Sequence, residues 1–312
     1  MTSNASLSDQ RLPDARPDNW VDRWAPSGLR PWLKLGRFDR PAGIWLLMLP
    51  GWQGVALADA ILGKLPDPRL LALIAVGATV MRAAGCAFND IVDRKMDAKV
   101  ARTAARPVAS GRIRVVQAWA FLVGLSLLGL GVLLCLNLTA ILLGVGSLAL
   151  VAGYPFMKRI TWWPQAWLGL TFNWGALLGY AAVRGTLDWP AGVLYASGIF
   201  WTLGYDTIYA VQDIEDDALA GVKSSARRLG ADVRKGVTIF YSLTILLLGG
   251  LTKFAPQGWP LLGAASLHLI WQASQVKRDD PQGALRLFKS NRDVGLMVFA
   301  ALAIAGWRRM HP

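Results

Sequence analysis

The sequence predicts an all-α, polytopic membrane protein of about nine transmembrane helices, and three observations predict it. Hydrophobic residues make up 54% of the 312 residues and charged residues only 17%, where a soluble chain has about a quarter charged. Mean hydropathy is +0.37. The charge deficit is also patterned: the 43 residues from Val115 to Met157 contain no Asp, Glu, Lys or Arg. As a helix rising ~1.5 Å per residue, that run is roughly 64 Å long, about twice a ~30 Å hydrocarbon core. It reads as two spans joined by a turn near Asn137–Leu138.

In chain order, residues 1–28 are polar and rich in Pro, Ser and Asp, interrupted only by Trp20 and Trp24; they are expected to form a disordered tail. No basic region followed by a short apolar core and cleavage site is present there, so no secretory signal is expected. Residues 29–40 interleave Leu, Trp and Phe with Arg and Lys, the pattern of an interfacial amphipathic helix. Residues 41–310 are expected to be the transmembrane domain, with spans at 41–63, 70–88, 115–136, 138–157, 161–183, 187–209, 236–252, 255–276 and 293–309. Pro50, Pro164, Pro190 and Pro260 fall in or at the ends of spans, where membrane helices tolerate them. Cys86 and Cys135 both lie in apolar stretches, which argues against a disulfide scaffold or a cysteine metal site.

A net charge of +13 would point a soluble protein toward nucleic acid. Its distribution gives another explanation. With the N-terminus in the cytoplasm, the inward-facing segments carry 26 Lys and Arg and the outward-facing ones 6, with Arg82 inside a span. That asymmetry follows the positive-inside rule. The partner implied is the lipid bilayer of a cytoplasmic (inner) membrane; neither nucleic acid nor an obligate protein partner is inferred.

The polar exceptions are concentrated. The second span ends in Asn89-Asp90-Ile91-Val92-Asp93-Arg94-Lys95-Met96-Asp97. Helical positions i, i+4 and i+8 share a face, so Asn89, Asp93 and Asp97 form an oxygen-rich stripe with Asp90 beside it. The sixth span ends in Asp206 through Gln212-Asp213-Ile214-Glu215-Asp216-Asp217. Asp213 and Asp217 are again i, i+4, and Asp216 flanks them. The fourth span ends at Tyr154-Pro155-Phe156-Met157-Lys158-Arg159. In this topology all three even-numbered helices end on the cytoplasmic side. Asn-Asp-x-x-Asp and Gln-Asp-x-x-Asp also resemble each other, as the two halves of a pseudo-repeat would.

Clustered carboxylates favour Mg²⁺, a hard cation that keeps waters and completes its shell with substrate phosphate oxygens. Lys158, Arg159, Lys95, Arg102, Arg106 and Lys223 are placed to meet the remaining phosphate charge. The alternative is that acids and bases merely solvate the interface. Arg82 lies two turns before Asn89, on roughly the same face. Burying an arginine there costs about 2.5–3.5 kcal/mol on insertion scales, so it serves either an ion pair, with Asp206 at similar depth, or the substrate. Arg40 reads as an interfacial anchor or a carboxylate binder. Trp45, Trp52, Trp174 and Trp201 lie deep enough either to pack or to face a cationic intermediate.

Asn89-Asp90-x-x-Asp93-Arg94-x-x-Asp97, continuing through Arg102-Thr103-x-x-Arg106-Pro107 to Ser110-Gly111, resembles the first signature of the UbiA superfamily of membrane prenyltransferases. Tyr154-Pro155-Phe156-Met157-Lys158-Arg159-x-Thr161-x-x-Pro164-Gln165 is similar to the signature of its 4-hydroxybenzoate polyprenyltransferase branch. Asp206 to Asp217 resembles the second acidic motif, and Arg40-Pro41-x-Gly43 the opening one. Ile214 and Glu215 stand where that pattern has a basic residue and an aspartate.

The resemblance implies a helical bundle around a central cavity with cytosolic caps, Mg²⁺, a polyprenyl diphosphate donor and an aromatic acid acceptor. Transfer would occur ortho to the acceptor's hydroxyl, as a step of ubiquinone biosynthesis. Carried over, Asn89, Asp93, Asp213 and Asp217 hold the metal, and Asp90, Asp93, Asp213 and Asp217 form the catalytic acid set. Lys158 binds the diphosphate, with Tyr154 and Arg159 beside it. Arg40 and Arg82 are candidates for substrate contacts, and Asp97, Asp206 and Asp216 for flanking ones. Two rivals are considered: a superfamily enzyme with a naphthoate, homogentisate, haem or chlorophyllide acceptor, and a cation-coupled transporter. A transporter would place its acids near the midplane among broken helices, whereas these cluster at one interface.

Overall fold

The computed structural model describes residues 19–100, 103–219 and 221–310, with the side chains of Asp216 and of 307–310 outside the description. Every regular element among the described residues is helical. In order these are α1 (Trp20–Trp24), α2 (Arg30–Leu35), α3 (Ala42–Ile61), α4 (Pro68–Asp97), α5 (Val115–Leu133), α6 (Leu138–Ile160), α7 (Pro164–Arg184) and α8 (Trp189–Ala210). A 3₁₀ turn at Val211–Asp213 then leads into α9 (Ile214–Leu219) and α10 (Ser225–Leu229), followed by α11 (Val233–Gly249), α12 (Trp259–Gln275) and α13 (Pro281–Met310). Nine of these described helices have 17 or more residues, and each overlaps one expected span, although α4 runs on to Asp97 and α13 starts at Pro281, twelve residues before the expected 293. On length and composition, α3, α4, α5 and α6 are apolar enough to cross a membrane.

The chain divides into two compact units. One is Met1–Gly43 with Thr79–Leu130, and the other is Ile44–Ala78 with Gly131–Pro312.

In the first unit, the stretch expected to be disordered is ordered from Asn19 onward; residues 1–18 lie outside the described residues. Local physics explains the difference. The Asn19 side chain caps α1 by accepting from the Asp22 amide, and Val21 is buried. The Trp20 Nε1–H donates to the Phe38 carbonyl at 2.8 Å, and Asp22 pairs with Lys34 at 2.6 Å. Helix α2 is shorter than the expected 29–40 because it ends in a Schellman motif. The Phe38 amide donates to Leu33 O at 3.0 Å and the Arg37 amide to Lys34 O at 3.1 Å. The motif needs a left-handed residue after the cap, and Arg37 (φ 60°) fills it, the one non-glycine residue with positive φ among those described. Leu35, Ala87, Ile91, Val108, Ile113 and Ala118 form this unit's core.

The second unit is built on close helix crossings. A Cβ at Gly54 of α3 would collide with the Ala176 carbonyl oxygen of α7, and one at Gly179 with that of Gly51. Small residues on both helices let the backbones approach, the usual solution where lipid supplies no hydrophobic drive for helix association. This accounts for Gly51 and Gly54 in the first long helix. The turn expected near Asn137 is present: its side chain caps α6 from Ala140 N and donates to the α7 carbonyls of Ala181 and Ala182 at 2.7 and 2.9 Å. Those carbonyls belong to the last turn of α7, where partners inside the helix run out. Deeper, a buried polar chain links four helices. Trp201 Nε1–H donates to Asn291 Oδ1 at 2.8 Å, and Gln272 Oε1 accepts from Tyr241 OH at 2.6 Å and Asn291 Nδ2 at 3.2 Å. Satisfied networks of this kind fix one packing of the helices.

Candidate active site

In the first unit the acidic motif occupies the last turns of α4, with Asn89, Asp93 and Asp97 on one helix as expected. Asn89 is half-buried, while Asp90, Asp93 and Asp97 are 1%, 0% and 5% exposed. A row of buried carboxylates needs positive compensation, and two arginines supply part of it. Arg37 Nη2 donates to Asp90 Oδ1 at 2.6 Å, and Arg106 Nη1 donates to Asp97 Oδ2 at 2.8 Å and lies 3.5 Å from Asp90 Oδ1. Thr103 Oγ1–H adds a bond to the Asp97 carbonyl oxygen at 2.9 Å.

Arg106, placed by the sequence among the cations available to substrate phosphate, is ion-paired to the chain's own carboxylates. Arg37 carried no expected role and turns out to be a principal partner of Asp90; its one local signal is the glycine beside it. Arg40 makes contacts of 3.1 and 3.3 Å with the buried Asp39. The guanidinium of Arg82 lies against Gly43, where a Cβ would come within 2.7 Å of Nε. Arg102 lies outside the described residues.

The second unit carries Tyr154, Lys158 and Arg159 on the last turns of α6, and Asp206 on α8. Asp206 and Arg82, considered as an ion pair, belong to different units. The acidic stretch does not form the continuous helix that the i, i+4 reading assumed. Asp213 closes the 3₁₀ turn and Asp217 lies on α9. A 3₁₀ turn winds more tightly than an α-helix and re-aims the residues that follow. Asp213 and Asp217 are half-buried; the Asp216 side chain lies outside the described residues. Lys223 Nζ donates to the carbonyl of Ile160, the last residue of α6, at 3.1 Å. Lys95 is exposed.

The donor set suits a hard divalent cation: amide and carboxylate oxygens only, with Asp90 Oδ2 buried and without a hydrogen-bond partner among the described residues. No three His, Cys, Asp or Glu side chains among the described residues converge into a metal cage.

Comparison with known proteins gives a consistent picture. Residues 47–307 match the UbiA prenyltransferase family. The chain is 47% identical over 287 residues to the mitochondrial 4-hydroxybenzoate polyprenyltransferase of Bos taurus, covering 90% of this chain and 76% of the relative. The Homo sapiens protein of that name is 46% identical over 293 residues, covering 91% and 78%. Among solved structures, an apo UbiA homolog from Aeropyrum pernix K1 aligns with TM-score 0.70 at 24% identity, over 83% of this chain and 97% of that one. A UbiA homolog from Archaeoglobus fulgidus bound to GPP and Mg²⁺ aligns with TM-score 0.66 at 20% identity, over 90% and 100%.

Proposed function

The chain belongs to the UbiA prenyltransferase family, and from that premise we propose that it is a 4-hydroxybenzoate polyprenyltransferase. It transfers a polyprenyl group from polyprenyl diphosphate to the ring carbon ortho to the hydroxyl, a step of ubiquinone biosynthesis. The observation that carries this reading is the pair of oxygen-rich segments, Asn89–Asp97 and Gln212–Asp217, in a chain nearly half identical to enzymes of that name.

Asn89, Asp93, Asp213 and Asp217 are assigned to hold Mg²⁺ on the donor. When bound, the metal neutralises charge building on the diphosphate as the allylic C–O bond breaks. The A. fulgidus homolog's GPP and Mg²⁺ support both ligand classes. Lys158, with Arg159 next to it and Tyr154 one turn earlier on the same face, binds the departing diphosphate. Asp90, ion-paired to Arg37 and Arg106, serves by orienting the helix end that carries Asp93. Arg40 and Arg82 are assigned to the acceptor, and Asp97, Asp206 and Asp216 to flanking contacts. The ring carbon attacks the allylic cation, and an acid of the set or the released diphosphate takes the ring proton. The lipid-embedded bundle keeps water from the cation and lets the prenyl tail stay in the bilayer, where each CH₂ is worth about 0.8 kcal/mol. The lysine and arginine distribution supports an inner membrane with the acidic helix ends on its cytoplasmic face.

Purified protein in lipid nanodiscs, given labelled 4-hydroxybenzoate and a polyprenyl diphosphate, is expected to form prenylated product only with Mg²⁺. Asp93→Ala and Asp213→Ala are each expected to lose about 10²-fold or more, the scale of losing a charge-stabilising group. Turnover without divalent metal, or full activity in either variant, would overturn the reading.

A further inference from the structure

The segment after the second acidic motif folds back onto the loop between α6 and α7, and its contacts converge on one buried point. The Lys223 amide donates to Lys158 O at 2.9 Å. The Ser225 amide donates to Gln165 Oε1 at 3.0 Å, and the Ser225 hydroxyl shares a 2.7 Å bond with Thr207 Oγ1. Ser225 and Thr207 are fully buried and Gln165 is 5% exposed. Around this point, Arg227 stacks over Trp162 with its guanidinium carbon 5.3 Å from the ring centre. Arg227 Nη1 also donates to the carbonyls of Val222 and Asp217.

Gln165 sits in the first turn of α7, Thr207 in the last turn of α8, and Ser225 opens α10. These three side chains therefore join the element that follows Lys158 to the elements on either side of Asp213 and Asp217. None of the three carries charge, and their hydrogen bonds are spent on one another and on backbone. They lie in or beside the family signatures, yet the chemistry proposed above uses none of them.

We propose that Gln165, Thr207 and Ser225 are positioning residues: a buried polar keystone that fixes Lys158 relative to Asp213 and Asp217 and so sets the affinity for the metal diphosphate. The inference rests on the reading of those charged residues as diphosphate and metal ligands. Removing the Gln165 acceptor strands a buried Ser225 N–H, so the segment must shift until that group finds a partner.

The test is steady-state kinetics in nanodiscs on Gln165→Leu, Gln165→Glu and Ser225→Ala, with each variant's thermal unfolding midpoint recorded. Gln165→Leu is expected to raise KM for the polyprenyl diphosphate and the Mg²⁺ concentration for half-maximal rate by about 10-fold, leaving KM for 4-hydroxybenzoate within 2-fold. Gln165→Glu keeps the acceptor oxygen and is expected to return both to within about 3-fold of wild type. Ser225→Ala keeps the amide bond and loses only the hydroxyl, so a shift of about 3-fold is expected; it decides the matter if Gln165→Leu does not fold. Diphosphate and Mg²⁺ parameters unchanged in the folded variants would overturn the keystone, and so would an equal rise in both substrates' KM. Failure of the underlying reading looks different: wild-type protein would then show no Mg²⁺-dependent transfer, or Asp213→Ala would be fully active.

Discussion

Replacing Asp90 by alanine removes the carboxylate shared by Arg37 and Arg106, whose side chains are 10% and 19% exposed. Breaking a buried pair by deleting one partner costs about 3–5 kcal/mol, because the remaining charge stays desolvated. Arg106 keeps Asp97 at 2.8 Å, so the low end, about 3 kcal/mol, is expected. Arg37→Ala leaves Asp90 with Arg106 at 3.5 Å and is expected to cost about 2–3 kcal/mol. The double variant then loses less than the sum, with a coupling energy near 2 kcal/mol, inside the range of roughly 0.5–3 kcal/mol for residues in direct contact. Arg37→Gly separates side chain from backbone. It removes the same guanidinium but relieves the left-handed strain, so it should be more stable than Arg37→Ala by about 1 kcal/mol. The assay is reversible unfolding in mixed micelles on raising the mole fraction of anionic detergent, followed by far-ultraviolet circular dichroism. A coupling below about 0.5 kcal/mol would refute the ion pair as a stabilising contact. Equal stability of Arg37→Gly and Arg37→Ala would refute the strain.

Gly54→Ala and Gly179→Ala press a methyl group into facing backbone and should each cost about 1–3 kcal/mol of overpacking in the same assay. Gly124→Ala and Gly131→Ala, with nothing within 4 Å of the added carbon, should be neutral or slightly stabilising. At Asp22 burial alone would raise the carboxyl, but hydrogen bonds from Lys34 and Asn19 and the charges of Lys34 and Arg30 hold it below its usual 3.8. A depressed carboxylate contributes stability that is present above the unfolded pKa and lost as pH falls through the folded one. Docking of α1 should therefore be intact from pH 5 upward and loosen below about 3.8. Hydrogen exchange at residues 20–24 at pH 6 and pH 3 checks this; Asp22→Asn should show the fast exchange already at pH 6.

The parts of this fold that could be read from the sequence are those the bilayer dictates. A buried backbone in lipid must pair every amide and carbonyl within its own helix, so an uncharged run of 43 residues has two spans as its natural reading, and Asn137 marks the turn. The acidic helix ends were legible for the same reason, since charge is confined to what the hydrocarbon permits. Helix continuity past Ala210 was not legible. Nothing in Tyr209–Asp217 is a glycine or proline, and the 3₁₀ turn at Val211–Asp213 breaks an i, i+4 register that composition alone would extend. The end of α2 was not legible either: the mixed apolar and basic pattern of 29–40 reads as one amphipathic helix, yet α2 stops at Leu35, with Arg37 in the left-handed position and ion-paired to Asp90, 53 residues away. Arg106 makes the same point: counting charge placed it beside the acids, but only the folded chain shows that its partner is Asp97 at 2.8 Å. Partition between oil and water is additive along the chain and so can be summed from sequence. Pairing among buried charges depends on which distant residue arrives at 2.6 Å, and no local pattern carries that information.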